Sequence, residues 1–155
     1  MRYSIDTSAI LDGWTRYYPP DIFPALWGHL DELIKTGGLI ATEEVLVELE
    51  RKEDSTYEWF RQRKHMFIPI DGRIQEAVTK ILQDYERLVD TSKNRSMCDP
   101  FVIAVAQVER CSVVTAEKMT NNPAKPRIPD VCQALGIETI TLLELIRRQH
   151  WVFRN

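Results

Sequence analysis

Histidine is scarce in this chain, and the three present, His29, His65 and His150, lie outside every acidic motif. Cysteine is scarce too: Cys98, Cys111 and Cys132 are odd in number, and no C-x-x-C spacing joins them. That pattern argues against a zinc ribbon and a disulfide framework, and sets a reduced, cytoplasmic compartment as the expectation. Long apolar runs are missing. The longest, Pro100 to Val108, is far short of the roughly 20 residues that span a bilayer, and the opening Met-Arg-Tyr-Ser-Ile-Asp lacks the apolar core of a signal peptide. Glycine and proline number 6 and 8, too few for a collagen-like or low-complexity chain. Nor does one sign of charge dominate: 20 Lys and Arg face 23 Asp and Glu, a net charge of −3. This argues against coating nucleic acid by bulk charge, while a local basic face stays open.

What is present has the make-up of an ordinary soluble domain, 44% hydrophobic and 28% charged over 155 residues. A chain of this length buries about two-thirds of its unfolded surface and needs no metal or disulfide to fold, so residues 1–155 are expected to form a single domain. Tyr3-Ser4-Ile5 reads as a short strand ending in Asp6. After the Pro19-Pro20-Asp21 break, Ile22, Leu26, Leu30, Leu33 and Ile34 fall on one helical face, with Trp27 beside them, until Gly37-Gly38 stops the helix. That face suits either core or a protein interface.

Leu39-Ile40-Ala41 reads as a strand, and Thr42 as the cap of a helix with Val45, Leu46 and Leu49 inward. Ser55-Thr56-Tyr57-Glu58 has the capping-box pattern, and Phe67-Ile68-Pro69-Ile70 reads as an edge strand because proline cannot donate to a central ladder. Asp71 caps a helix whose inward stripe runs Ile74, Val78, Ile81, Leu82, Tyr85, Leu88 and Val89, and a polar loop spans Asp90 to Ser96. Asp99-Pro100 supplies a cap and a first-turn proline for the almost wholly apolar helix from Phe101 to Ala106. A strand at Ser112 to Thr115, a loop at Asn121 to Pro129, a short helix ending at Gly136, a strand at Ile137 to Ile140 and a helix capped by Thr141 complete the chain. Short strands alternating with helices predict a parallel α/β sheet.

In open α/β sheets, sites form beyond the carboxyl ends of strands where the strand order reverses. Asp6 and Glu117 follow strands directly, Asp99 opens a buried helix, and Glu48 sits between the apolar Val47 and Leu49. At this point Ser4-Ile5-Asp6-Thr7-Ser8-Ala9-Ile10-Leu11 resembles the opening strand and Asp-Thr-Ser/Asn motif of PIN-domain ribonucleases, including VapC-type toxins. Val45-Leu46-Val47-Glu48-Leu49 is similar to the helix carrying that family's second acid, and Cys98-Asp99-Pro100-Phe101-Val102-Ile103-Ala104 to the start of its third-acid helix. Val113-Val114-Thr115-Ala116-Glu117 is similar to the strand and loop of the fourth. The order of the motifs is more specific than any one of them. Two departures mark a divergent subgroup: the family's fourth acid is usually Asp in a Thr-x-Asp setting, and the segment from Gly13 to Leu26 is longer and more aromatic than in a minimal toxin.

The resemblance implies a PIN-like three-layer fold, with a central parallel sheet of about five short strands flanked by helices. It implies a metal-dependent endoribonuclease acting as the toxin of a type II toxin–antitoxin system, with RNA as substrate, a cognate antitoxin as partner and homodimerisation. Oxygen-only donors favour Mg²⁺ or Mn²⁺ over zinc. Asp6, Glu48, Asp99 and Glu117 are the candidate catalytic acids, and Asp6, Asp99, Glu117 and Asp130 the candidate metal ligands, Asp130 sharing or replacing the role of Glu117. Ser8 is a candidate for a phosphate or a metal-bound water. A basic rim must offset an acidic pocket; its best-placed members are Lys93 and Arg95 before Asp99, and Lys118, Lys125 and Arg127 after Glu117. Arg61, Arg63 and Lys64 read as a solvated surface, with Arg147 and Arg148 as further cations, while Trp14, Tyr17 and Tyr18 suit either base stacking or packing.

Each acid alone has a plainer reading. Asp6, Asp99 and Asp130 suit helix caps, Glu48 suits an ion pair with Lys52 one turn on, and Glu117 suits a polar loop. A receiver domain needs paired acids after its first strand and a haloacid-dehalogenase-type phosphatase needs Asp-x-Asp; neither pattern is here. The stronger rival is a PIN-like module that binds RNA or protein with little or no cutting, a reading kept open by Glu117 in place of Asp.

Overall fold

In the computed structural model, which describes residues 1–52, 54–89 and 97–154, five short parallel strands form one sheet. They are β1 (Tyr3–Ile5), β2 (Leu39–Thr42), β3 (Phe67–Ile68), β4 (Ser112–Val114) and β5 (Thr139–Ile140), in the order β3-β2-β1-β4-β5. β1 is central, its Tyr3, Ser4 and Ile5 opposite Ser112, Val113 and Val114 of β4. The chain builds outward from β1 to β3 and then returns to the other side of β1. The reversal therefore lies between β1 and β4.

The helices are α1 (Thr7–Leu11), α2 (Pro24–Lys35), α3 (Glu43–Lys52), α4 (Asp54–Arg61), α5 (Gly72–Asp84), α6 (Cys98–Glu109), α7 (Ile128–Leu135) and α8 (Leu142–Arg148). Helix α6 packs on α5 and over β1, β2 and β4, and its run from Val102 to Ala106 is wholly buried. Such a helix needs no polar face, which is why its sequence shows little amphipathic period.

Several boundaries depart from expectation, each for a local reason. Ile22 is 65% exposed because α2 starts only at Pro24, two residues later, with proline preset for the first turn. The α2 face is core: Leu26, Trp27, Leu30 and Ile34 are buried. Helix α5, capped as expected by Asp71, whose carboxylate accepts the Ile74 N–H at 3.0 Å, stops at Asp84; Leu88 is buried from a following 3₁₀ turn. β3 does lie at the sheet edge but is only two residues long, and beyond Pro69 the Ile70 N–H turns to the Glu43 carboxylate at 3.1 Å. Asp99 is not the cap of α6; Met97 holds that position and Asp99 lies inside the first turn. The loop expected over Asp90 to Ser96 lies outside the described residues.

Between α1 and α2 the chain makes a π-helical segment, Asp12–Tyr17, that sequence periodicity gives no sign of. The Tyr18 N–H reaches the Gly13 carbonyl at 2.8 Å, and the Thr15 hydroxyl donates to the Leu11 carbonyl at 2.6 Å. Gly13 is needed for close approach: a Cβ there would lie 2.8 Å from Leu142 Cδ2. The aromatics of this region interlock, Trp14 edge-on to Trp27 at 4.8 Å and Trp27 to Trp59 at 5.4 Å. The two indole N–H groups nearest this segment are satisfied, Trp14 by the Ser55 hydroxyl at 3.1 Å and Trp27 by the Tyr18 carbonyl at 2.8 Å. Trp14 and Tyr18 are thus packing residues. Tyr17, 58% exposed, is not.

Candidate active site

The site is assembled at the sheet reversal. Asp6 leaves the end of β1 with its N–H bonded to the Val114 carbonyl at 2.9 Å, which holds it beside the end of β4. Its side chain is buried, and its Oδ2 accepts two hydroxyls: Ser8 Oγ at 2.6 Å and Thr115 Oγ1 at 2.9 Å. Backbone amides fix both hydroxyls in turn, Ala116 N–H donating to Ser8 Oγ at 3.0 Å and Glu117 N–H to Thr115 Oγ1 at 3.1 Å. Each hydroxyl accepts one amide and donates its proton to Asp6, and the two oxygens lie 3.2 Å apart. Ser8, the candidate for a phosphate or a metal-bound water, ties the two strand ends together through these bonds. Thr115 does the same and went unassigned in the sequence, although the Thr-x-acid spacing marked it.

Burial pushes the Asp6 carboxyl from its ordinary 3.8 up to about 6; the Glu117 charge adds to this, the Ser8 and Thr115 hydrogen bonds oppose it, and Glu48 adds a smaller push. Glu117 is held through Oε1 by the Arg127 guanidinium at 3.3 Å, while its Oε2 is buried with no hydrogen-bond partner. The Cys98 thiol is pushed far up by burial and then by the charges of Asp6, Glu48 and Asp99, and the Cys132 thiol up to about 12 by burial, Asp6 and Glu117. The charges of Asp6 and Glu48 thus reach Cys98, which adjoins Asp99 in the chain, and those of Asp6 and Glu117 reach Cys132. Glu48 also makes the expected pair with Lys52, at 3.7 Å.

Asp130 does not join them. Its carboxylate fastens the loop after β4, accepting the N–H groups of Thr120, Asn121 and Arg127 at 3.1, 2.9 and 2.8 Å and the Thr120 hydroxyl at 3.1 Å. Partial burial pushes its pKa up, and these hydrogen bonds more than reverse that, leaving it below the ordinary range. An oxygen pair so fully engaged within its own loop is a clamp, not a ligand. Asp130→Ala should lower unfolding free energy by roughly 2–3 kcal/mol, read by urea denaturation, since charged acceptors to backbone donors are worth about that much.

Oxygen donors alone, with one buried carboxylate oxygen left unpartnered and a neighbouring carboxyl pushed up by burial and then by the Glu117 charge, suit a hard divalent cation. Among the described residues, however, no three His, Cys, Asp or Glu side chains are grouped so as to hold an ion by themselves.

On the rim, Lys118 and Lys125 are exposed, whereas Arg127 is partly neutralised by Glu117. Lys93 and Arg95 lie outside the described residues. Three other arginines have structural partners: Arg61 pairs with Glu58 at 2.7 Å and Arg148 with Glu138 at 2.7 Å, and Arg63 joins Asp31 at 2.7 Å while stacking 3.5 Å over Trp59. No described helix is long and apolar enough to cross a membrane.

The architecture is similar to that of a chain in the crystal structure of VapBC2 from Rickettsia felis bound to a DNA fragment from their promoter. There the TM-score is 0.53 at 14% identity, over 91% of this chain and 98% of that one. A chain of FitAcB from Neisseria gonorrhoeae aligns with TM-score 0.51 at 15% identity, covering 89% and 96%. Both likenesses place this chain in the PIN-like fold. No curated protein matches the sequence. Residues 3–153, nearly the whole chain, match a single family model, and the protein belongs to that family, the domain of unknown function DUF4411.

Proposed function

We propose that this protein is a metal-dependent endoribonuclease that hydrolyses RNA phosphodiester bonds, and that it is the toxin of a type II toxin–antitoxin pair. The observation that carries the reading is the meeting of Asp6 and Glu117 at the sheet reversal, with a buried Glu117 oxygen lacking any partner. In this reading Asp6, Asp99 and Glu117 hold Mg²⁺ or Mn²⁺, and Glu48 orients the attacking water. When bound, the ion offsets phosphate charge and acidifies a water for in-line attack at phosphorus. Ser8 and Thr115 hold the Asp6 carboxylate in one rotamer, and Arg127 does so for Glu117. Because these contacts lie on opposite strand ends, the acids are positioned before substrate arrives. Lys118 and Lys125 supply the charge that draws RNA toward an acidic dent.

The antitoxin partner is supported by the two-component complexes in which both fold neighbours were crystallised. Homodimerisation follows from the family resemblance alone.

A second reading, a PIN-like module that binds RNA or protein without efficient cutting, draws on the absence of a ready-made three-ligand group among the described residues and on the Arg127 pair at Glu117. Incubation of purified protein with end-labelled single-stranded RNAs and Mn²⁺ or Mg²⁺, beside an Asp6→Asn variant, separates them. Cleavage that needs the ion and vanishes in the variant is expected. Equal cleavage by both proteins removes the site assignment, and RNA binding with no cleavage under any ion favours the module.

A further inference from the structure

Beside the acids lies a cavity of about 540 Å³, within the usual range for ligand pockets. One wall is the π-helical segment with Asp12, Arg16 and Tyr17; the other is the start of α8 with Leu142 and Leu143; the floor includes Thr115. Thr115 is also the residue that donates to Asp6 Oδ2, so the cavity and the acid site share a side chain. The close approach at Gly13 brings Leu142 against the π segment and shapes the floor. π segments of this kind recur at functional sites, because the widened turn re-aims the side chains that follow it.

The lining is chemically mixed in a particular way. Two cations line the cavity, Lys118 and Arg16, the latter held only weakly by Asp12 at 3.9 Å and 68% exposed. Lys118 makes no ion pair among the described residues. Tyr17 presents an exposed ring although its neighbours Trp14 and Tyr18 are packed, and Leu143, 43% exposed, stands on the α8 wall. An aromatic face and an aliphatic wall bounding one cavity suit a flat ring, and the cations beside them suit an anion attached to that ring.

We propose that this cavity holds one unpaired nucleotide of an RNA strand, its base against Tyr17 and Leu143 and its phosphate between Arg16 and Lys118. The proposal rests on the ribonuclease reading and adds to it a pocket for one base, which must be unpaired to offer its face to Tyr17. It also assigns Arg16, Tyr17 and Leu143 to recognition, which no acid motif does.

Anisotropy titration of a dye-labelled single-stranded octaribonucleotide, in EDTA so that nothing is cut, tests it. Tyr17→Ala should weaken binding about tenfold and Tyr17→Phe should restore it, because stacking needs the ring and not the hydroxyl. Arg16→Ala and Lys118→Ala should each flatten the slope of log Kd against log salt by about 0.7, the value for one phosphate contact on a single strand. All three side chains are exposed, so these variants fold. A duplex of the same length should compete poorly.

Binding by Tyr17→Ala equal to that of the unaltered protein, or a duplex bound as tightly as the single strand, overturns the proposal and leaves the cavity to a protein segment. The cleavage assay fails independently. Loss of cutting in Asp6→Asn with unchanged binding in Tyr17→Ala keeps the nuclease and removes the pocket, while weakened binding in Tyr17→Ala with no cutting by any protein does the reverse.

Discussion

Asp6→Asn is expected to stabilise the metal-free protein at pH 8, although it removes the acid on which the site depends. The carboxyl is buried, beside Glu117, and has its pKa raised from 3.8 to about 6. A group with a raised folded-state pKa binds its proton more tightly in the folded chain than in the unfolded one. Below about pH 3.8 both states hold the proton and nothing is lost. As pH rises from there through 6, the unfolded chain releases its proton first and folding stability falls. Above 6 the loss is complete, and a shift of this size corresponds to about 3 kcal/mol. Asparagine keeps the shape and an oxygen for the Ser8 and Thr115 hydroxyls, and has no charge to desolvate. For a chain of this size, roughly 2–4 °C per kcal/mol translates into a rise in Tm on the order of 6–12 °C at pH 8. Melting in EDTA across pH 4 to 8 reads it: the gain should shrink toward zero at pH 4. An equal gain at both ends of the range, or a loss at pH 8, means that Asp6 is not the strained charge.

The same raised carboxyl makes ion binding depend on pH. With Asp6 titrating near 6, a pH of 5 leaves roughly nine-tenths of it protonated, so a cation must displace a proton to bind. Mg²⁺ or Mn²⁺ at about 100 times Kd should add roughly 2.7 kcal/mol of stability when Asp6 is ionised. The added stability should fall by about tenfold in apparent affinity per pH unit below 6, and disappear in Asp6→Asn at any pH. Thermal shifts at pH 8 and pH 5, with and without ion, measure it. A shift of equal size at both pH values, or one retained in Asp6→Asn, places the ion elsewhere.

Much of this site was legible in the sequence, and the reasons are local. Asp6 and Glu117 each follow a short β-rich run, so their place at strand ends needed only the period of two residues. Asp71, Thr141 and Gly136 announced their helix termini, and the structure shows Gly136 left-handed at φ 73° as a helix-ending glycine should be. What sequence could not give depends on partners far along the chain. Asp130 resembles a ligand in its motif, and only the fold shows four donors from its own loop converging on it. Ser8 and Thr115 are separated by 107 residues, so no window reveals that both serve Asp6. The π segment escaped notice because a single wide turn is too short to impose a period. Ile22 looked like part of a helical face, yet the backbone there cannot enter the helix before Pro24.

The contact between Thr115 and Asp6 spans 109 residues of chain. The first strand emerges from the ribosome long before its neighbour β4 exists, and one of its edges stays unpaired until roughly three-quarters of the polypeptide has been made. Every unfinished or prematurely ended product shorter than that lacks the pair of strand ends on which the acids stand. Such a chain is inert by construction. On the proposed ribonuclease reading, about three-quarters of the chain must be made before RNA can be cut, an interval in which an antitoxin could already be present.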